Sequence, residues 1–294
     1  MPEPTTNPPA ILTIAPGDAI DLQMHTTYSD GSWAPDALLA YLAEQRFRVV
    51  AITDHDQVTH IPETQALGQQ HGVVVIPALE MTTLWHGVNA DILCFAPLES
   101  GFIGDDLANV VRRTEEGQLA NTHAVHAELL RQGYTFPHQM EVLLAQGSEL
   151  RRPGDNMLLL QAHGYAQSPG QALKMIWDAG YRSIKAPIAE GLAAAHASGA
   201  ITILAHPGRS DGEIHRFDLP ELVELLDEQP LDGIETYYPV HTPEQTQTYH
   251  RLAQERGLLE SAGSDSHSLR HRAPIPYPAQ YCAGLLARLG VSVG

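Results

Sequence analysis

Residues 49–56 read VVAITDHD, a short apolar run that stops abruptly on two carboxylates and a histidine. A run of roughly four to eight such residues has the length of a buried strand, and hydrophobicity on both of its faces marks a parallel sheet covered on two sides. The same form recurs as AIDLQMH at 19–25, VVVIPALE at 73–80, ADILCFA at 90–96, ITILAHP at 201–207, DGIETYY at 232–238 and LLESAGSDSH at 258–267. Helical patterns separate several of these runs: PDALLAYLAEQ at 35–45, AEGLAAAHASG at 189–199, LPELVELLDEQ at 219–229 and PEQTQTYHRLAQERG at 243–257. Gly199 and Gly257 sit where two of the helices should be capped. Strand, helix, strand in repetition predicts an α/β fold with a parallel sheet and ligands bound beyond the carboxyl ends of the strands. Closing about seven or eight such strands into a barrel brings those ends around one mouth.

The rhythm breaks between residues 99 and 188, where LANVVRRTEEGQLANTHAVHAELLRQG and QALKMIWDAG are helical patterns with no convincing strand beside them. This segment is expected to be a helical insertion forming a cap. Residues 1–18 carry Pro2, Pro4, Pro8, Pro9 and Pro16 and are expected to form a flexible arm. The barrel is then assigned to 19–98 and 189–294.

At 294 residues and 43% hydrophobic content the chain can bury a full core. Its 35 acidic residues against 17 basic ones offer no field that gathers a polyanion, which argues against a long nucleic-acid duplex as partner. A small phosphorylated substrate remains compatible if the pocket carries its own cations. Cys94 and Cys282 are the only cysteines, too few for a disulfide framework or a thiolate cluster, which fits a reducing cytoplasm. No basic start leads into an apolar run, and no stretch approaches the roughly 18 apolar residues of a membrane span. A soluble cytoplasmic protein with no membrane partner is the expectation; no feature of the sequence sets its oligomeric state.

Sixteen histidines are the compositional oddity. His71, His123, His126, His138, His196 and His250 read as surface or helix residues without chemical work. Four others fall at strand ends, with carboxylates: His25 followed by Asp30, then Asp54, His55 and Asp56, Glu80, Asp91, His206, and Asp265 with His267. Neutral nitrogen and anionic oxygen without sulfur is a donor set for Zn, Mn or Fe. There are more donors than one ion needs, and a carboxylate such as Glu80 can bridge two or three ions. Each position also has an ordinary reading. Asp30 in YSDGS suits a turn, Asp54 and Asp56 suit helix caps, Glu80 suits a sheet edge, and a single histidine after a strand is usually structural. Taken together these readings leave unexplained why so many strands end in the same donor chemistry.

DLQMHTTYSDGS, AITDHD, ALEMTT, ILAHPGR, GIETYY and GSDSHS resemble, in order and spacing, the motifs of the polymerase and histidinol phosphatase (PHP) family. The resemblance covers roughly residues 19–96 and 200–270, and is nearest to stand-alone members that dephosphorylate nucleoside 3′,5′-bisphosphates or trim 5′ nucleotides from short RNA. It implies a distorted (β/α)7 barrel and a trinuclear metal centre, and for this chain two to three divalent ions (Mn, Fe or Zn) are expected. It places one ion between His25, Glu80 and Asp265, a second between Glu80, Asp91 and His206, and a third between Asp30, His55 and His267. The family pattern has histidines where this chain has Gln23 and Asp91. Glutamine is a weak donor, so its site is expected to be weakened, whereas the carboxylate of Asp91 remains a ligand and favours a harder ion. Arg152 in RRPG and Arg209 after HPG are candidates to hold the substrate phosphate, although the family's Arg-Pro-His lid motif has Gly154 here. Asp54 and His241 are candidates to orient or protonate the reacting groups.

The expected activity is hydrolysis of phosphate esters by a metal-activated water, on a nucleotide or other small phosphomonoester and extending to short RNA. Two alternatives stand beside it: attack on a carbon electrophile, as in amidohydrolase-like barrels, and a degenerate, non-catalytic member that binds a metal or nucleotide. Restoring the family histidine by Gln23→His is expected to tighten the weakest ion site, measured as higher metal affinity or stoichiometry in titrations of the metal-free protein.

Overall fold

The computed structural model describes residues 12–100, 103–145, 149–209, 215–270 and 272–294. Its elements, in order, are β1 (Leu12–Ile14), β2 (Ala19–Asp21), α1 (Pro35–Glu44), β3 (Phe47–Ala51), α2 (Ile61–His71), β4 (Val74–Ile76), β5 (Ala78–Met81), β6 (Thr83–Trp85), β7 (Val88–Asn89) and β8 (Ile92–Phe95). Next come α3 (Asp105–Arg131), α4 (Gln139–Leu144), α5 (Pro153–Ala162), α6 (Pro169–Asp178), β9 (Ala186–Pro187), α7 (Ile188–Ala197) and β10 (Ile201–Leu204). The chain closes with α8 (Leu219–Glu228), β11 (Gly233–Tyr237), α9 (Pro243–Arg256), β12 (Leu259–Ala262), β13 (Tyr277–Pro278), α10 (Ala283–Arg288) and β14 (Val291–Val293). This is a mixed α/β fold of two compact units, Met1–Val111 with Ala186–Gly294, and Arg112–Lys185.

The helices start and stop where local chemistry dictates. Thr242 accepts the backbone N–H of Gln245 at the start of α9, Asp218 accepts that of Glu221 at the start of α8, and Gly257 ends α9 at φ 68°. Gly199, at φ 72°, follows the last residues of α7.

In the first unit one sheet has the order β12-β11-β10-β8-β5 and another the order β13-β2-β3-β4. Backbone contacts join the two at both margins. Met24 bridges Ser266 and His55 bridges Glu80, while Leu22 donates to the Ala262 carbonyl at 2.9 Å and Glu80 to that of Thr53 at 3.1 Å. Side-chain alternation divides the interior accordingly. Ile20, Val49, Ala51, Ala78, Leu93, Phe95, Ile203 and Ala262 share one core, while Leu79, Met81, Ile92, Cys94, Leu204 and Ile234 pack against residues of α7, α8 and α9.

Four expectations change. The parallel sheet is interrupted: β8 runs antiparallel to both β5 and β10. The cause is connection length, since β5 reaches β8 through the short β6 and β7 with no crossover helix, and only antiparallel neighbours can be joined that way. VVVIPALE is two strands, because Pro77 has no N–H for the ladder; β4 pairs with β3, and β5 with β8. The arm expected over 1–18 is shortened, because Leu12–Ile14 is held as a strand against Val291–Val293; the rest of it, up to residue 11, lies outside the described residues. The second unit is helical, with Val125, Leu129, Phe136, Leu143, Leu159, Leu160, Ile176 and Tyr181 at its core. The segment expected to lack strands contributes the two-residue β9, which pairs with β6 in the first unit. No helix among the described residues is long and apolar enough to cross a membrane.

Gly233 lies between β10 and β12, where a Cβ would strike the Leu259 carbonyl and the Ile203 side chain. Gly233→Ala is therefore expected to destabilise the protein by about 1–3 kcal/mol, measured as a lower denaturation midpoint.

Candidate metal centre

Every strand-end donor singled out in the sequence lies in the first unit, and the structure gathers all of them except Asp54 and Asp56 into three overlapping groups. Each of His25, Asp30, His55 and His267; His25, Glu80 and Asp265; and Glu80, Asp91 and His206 offers donor atoms within 4.8 Å of one another. Asp91 joins although it begins its run rather than ending it: the antiparallel course of β8 brings its start to the face where the parallel strands end.

Glu80 is fully buried and shared. Its Oε1 lies 3.0 Å from His206 Nε2, and its Oε2 lies 3.0 Å from His25 Nε2 and 4.0 Å from His55 Nε2. His25 is equally buried, with Nε2 3.2 Å from Asp265 Oδ1, and its ring stacks on His267 at 4.3 Å and on His55 at 4.7 Å. His267 Nε2 lies 3.2 Å from Asp30 Oδ2. Gln23 turns its amide nitrogen to Glu80 Oε2 at 2.9 Å. Buried atoms of His25 (both ring nitrogens), His55 (Nδ1), Asp91 (Oδ1) and Gln23 (Oε1) make no hydrogen bond. A cation suits such atoms, because lone pairs out of water otherwise go uncompensated.

The titration behaviour points the same way. Burial by itself raises Glu80, but His55, His206 and His25 outweigh it and hold its carboxyl well below the usual range. Burial lowers His25, yet the carboxylates of Asp265 and Glu80 lift it well above its ordinary value. For His206, Glu80 overcomes burial and raises the imidazole from 6.5 to about 9. These acids thus hold positive charge at their centre, as protons on the imidazoles when no cation is bound.

Four carboxylates stand beside the donors without belonging to the groups. Asp54 accepts the backbone N–H and hydroxyl of Thr26 and the hydroxyl of Ser29, each at 2.7 Å, which pins the loop between His25 and Asp30. These bonds suit a carboxylate that holds the loop in place. Asp56 takes the backbone N–H of Thr82 at 3.1 Å. Asp21 takes those of Ser264 at 2.9 Å and Ile275 at 3.0 Å. Glu235 takes that of His206 at 2.8 Å. His206, Asp265 and Asp56 all have positive φ, at 30°, 54° and 48°, a conformation that non-glycine residues keep only when surrounding contacts enforce it.

His241 is placed differently from its expected role as an acid. Its Nε2 accepts the Gly208 N–H at 3.1 Å, its Nδ1 faces the Thr236 carbonyl at 3.2 Å, and burial pushes it down from 6.5 to about 4. Near neutral pH the ring is uncharged and both nitrogens are occupied by backbone. Arg209 contacts Asp265 Oδ2, to which Tyr238 also donates at 2.9 Å. Arg152 belongs to the second unit and precedes α5, with its guanidinium 3.7 Å from Asp155. Sequence reasoning missed Arg272, which donates to the Ser264 carbonyl at 2.7 Å and lies over the Tyr238 ring at 5.3 Å. It also missed Glu235, whose signal was an acid inside the apolar run DGIETYY.

Comparison with known proteins accords with this geometry. The PHP domain model matches residues 21–229, and the chain belongs to the PHP domain family. It is a metal-dependent hydrolase of phosphate esters. Among curated relatives, the 5′-3′ exoribonuclease Rnm of Escherichia coli is 29% identical over 262 residues, covering 84% of this chain and 84% of that protein. The 3′,5′-nucleoside bisphosphate phosphatase of Chromobacterium violaceum is 24% identical over 255 residues, covering 85% and 87%. A crystal structure from Bifidobacterium adolescentis, of a protein assigned to the metal-dependent phosphoesterases, shares the fold with a TM-score of 0.71 at 23% identity, covering 87% and 90%.

The metal-free protein should show the charge balance directly. Protonated His206 stabilises the fold fully below pH 6.5, and that contribution is lost as pH rises through about 9. Denaturation midpoints of metal-free protein are thus expected to fall across this window, and those of His206→Gln to fall less; equal slopes would refute the assignment.

Proposed function

We propose that this chain hydrolyses a phosphate ester of a nucleotide, on a nucleoside bisphosphate or at the 5′ end of a short RNA, and that His25, Asp30, His55, Glu80, Asp91, His206, Asp265 and His267 hold two to three divalent ions for that purpose. The observation that carries the reading is the sharing of His25 and Glu80 between overlapping donor groups. Residues that serve two groups at once suit ions set close together, the spacing that phosphoryl chemistry uses. The donors are imidazole and carboxylate without thiolate, which suits Mn, Fe or Zn. When bound, such ions supply an activated water and neutralise the charge that builds on the phosphoryl oxygens.

The chain's own groups do the rest. Arg209, partly exposed beside Asp265, offers a planar cation to a phosphate in a protein of net charge −18. Asp54 keeps the His25–Asp30 loop in register, and Tyr238 with Arg209 occupies Asp265 Oδ2, leaving Oδ1 toward His25 and His267. Gln23 spends its amide on Glu80 and contributes one weak donor at most. The nucleotide preference is drawn from the activities named for the two curated relatives. The scaffold that goes with this reading is a distorted seven-stranded barrel running β2, β3, β5, β8, β10, β11, β12. Sheet pairing along most of that path and the bridges at His55–Glu80 and Met24–Ser266 support it.

Purified protein supplemented with Mn²⁺ is expected to release phosphate or mononucleotide from nucleoside 3′,5′-bisphosphates or short 5′-phosphorylated RNA. Histidinol phosphate should be a poor substrate, and Glu80→Ala should bring turnover to background. Bound metal with no product from either nucleotide substrate would overturn the proposal.

A further inference from the structure

We infer that Glu235 is a positioning residue, whose carboxylate fixes the backbone of His206 so that its imidazole meets Glu80 and Asp91. The inference rests on the reading of His206 as a ligand.

The geometry begins at the end of β10. Ala205 makes the last sheet-like bond there, donating to the Asp91 carbonyl at 2.9 Å, and the chain then turns at His206 into the left-handed region, φ 30°. The His206 N–H at this turn belongs to a residue only 4% exposed, where water cannot readily serve it. Glu235, fully buried on β11, supplies the acceptor: its Oε2 takes this N–H at 2.8 Å. The same turn sets His206 Nε2 3.0 Å from Glu80 Oε1. Space is kept for the acid by Gly263, where a Cβ would collide with Glu235 Oε1 and the Gln23 side chain. Glu235 belongs to none of the donor groups among the described residues, so its effect on an ion passes through His206. An apolar residue would fill the strand position as well for packing alone, and the carboxylate earns its place by holding one N–H at an unusual backbone angle.

The test uses the full chain stripped of metal and titrated with Co²⁺, following ligand-field absorption as well as affinity. Glu235→Met keeps the volume and removes the acceptor. It is expected to weaken one class of bound Co²⁺ by about 10–100-fold, with loss of the corresponding absorption band, while the other class binds as in the native protein. Glu235→Gln keeps a carbonyl oxygen and is expected to retain that band, and His206→Ala to lose the same class outright. Native-like binding by Glu235→Met alongside loss in His206→Ala would overturn the inference and leave the ligand reading standing. Unchanged binding in His206→Ala would overturn the ligand reading itself. Equal loss in the Gln and Met variants would also overturn the inference. Should Glu235→Met fail to fold, Gly263→Ala, which crowds the carboxylate without removing it, is expected to weaken the same class, and native-like binding there would count against the proposal.

Discussion

Glu80 is a carboxylate with no exposure to solvent, set on β5 with three imidazoles within 4.0 Å of its oxygens. An isolated charge in that position would be costly to bury, and it persists because cationic partners surround it. The surrounding architecture follows from satisfying this one group. His25 arrives from the loop after β2, His55 from the loop after β3 and His206 from the loop after β10, so the strands must end together on one face for the balance to hold. The two sheets meet at the same place, since the His55 to Glu80 bridge is both a backbone contact and part of the cluster.

Around this centre the protein uses carboxylates for two distinct tasks. Glu80, Asp91 and Asp265 present oxygens to imidazoles, whereas Asp21, Asp54, Asp56 and Glu235 turn theirs toward backbone N–H groups of neighbouring loops. The second set makes the loops rigid at the cost of burying further acid. Burial pushes Asp21 and Asp56 up to about 7 and raises Glu235 as well, which shows how much desolvation the fold tolerates to fix these backbones. A centre built from donors on separate loops needs that support, because a displacement of about an ångström in any one of them loosens the set.

The departures at Gln23 and Asp91 have different consequences for the same physical reason. Asp91 keeps a carboxyl group in the position, with its Oδ1 lacking any hydrogen bond. Gln23 is neutral and uses its donor end on Glu80, so it satisfies the bridging carboxylate instead of competing for a cation.

The sequence alone determined the strand-and-helix pattern, the helix caps and the residue types of the centre, because periodicity, capping chemistry and donor identity are local properties. VVAITDHD, ILAHPGR and GSDSHS could be read as strand ends bearing donors without knowing where the strands lie. What only the tertiary structure decided is direction and partnership. The antiparallel course of β8, which brings Asp91 to the donor face, depends on which strands pair. Pro77 marks a break in VVVIPALE, but that its two halves join different sheets depends on which strands they pair with. The neutral state of His241 and the anchoring of His206 by Glu235 depend on backbone groups that lie about 30 residues away or nearer in sequence but are recognisable as partners only in space. Burial and pairing across the chain are properties of the assembled fold, so no local pattern encodes them.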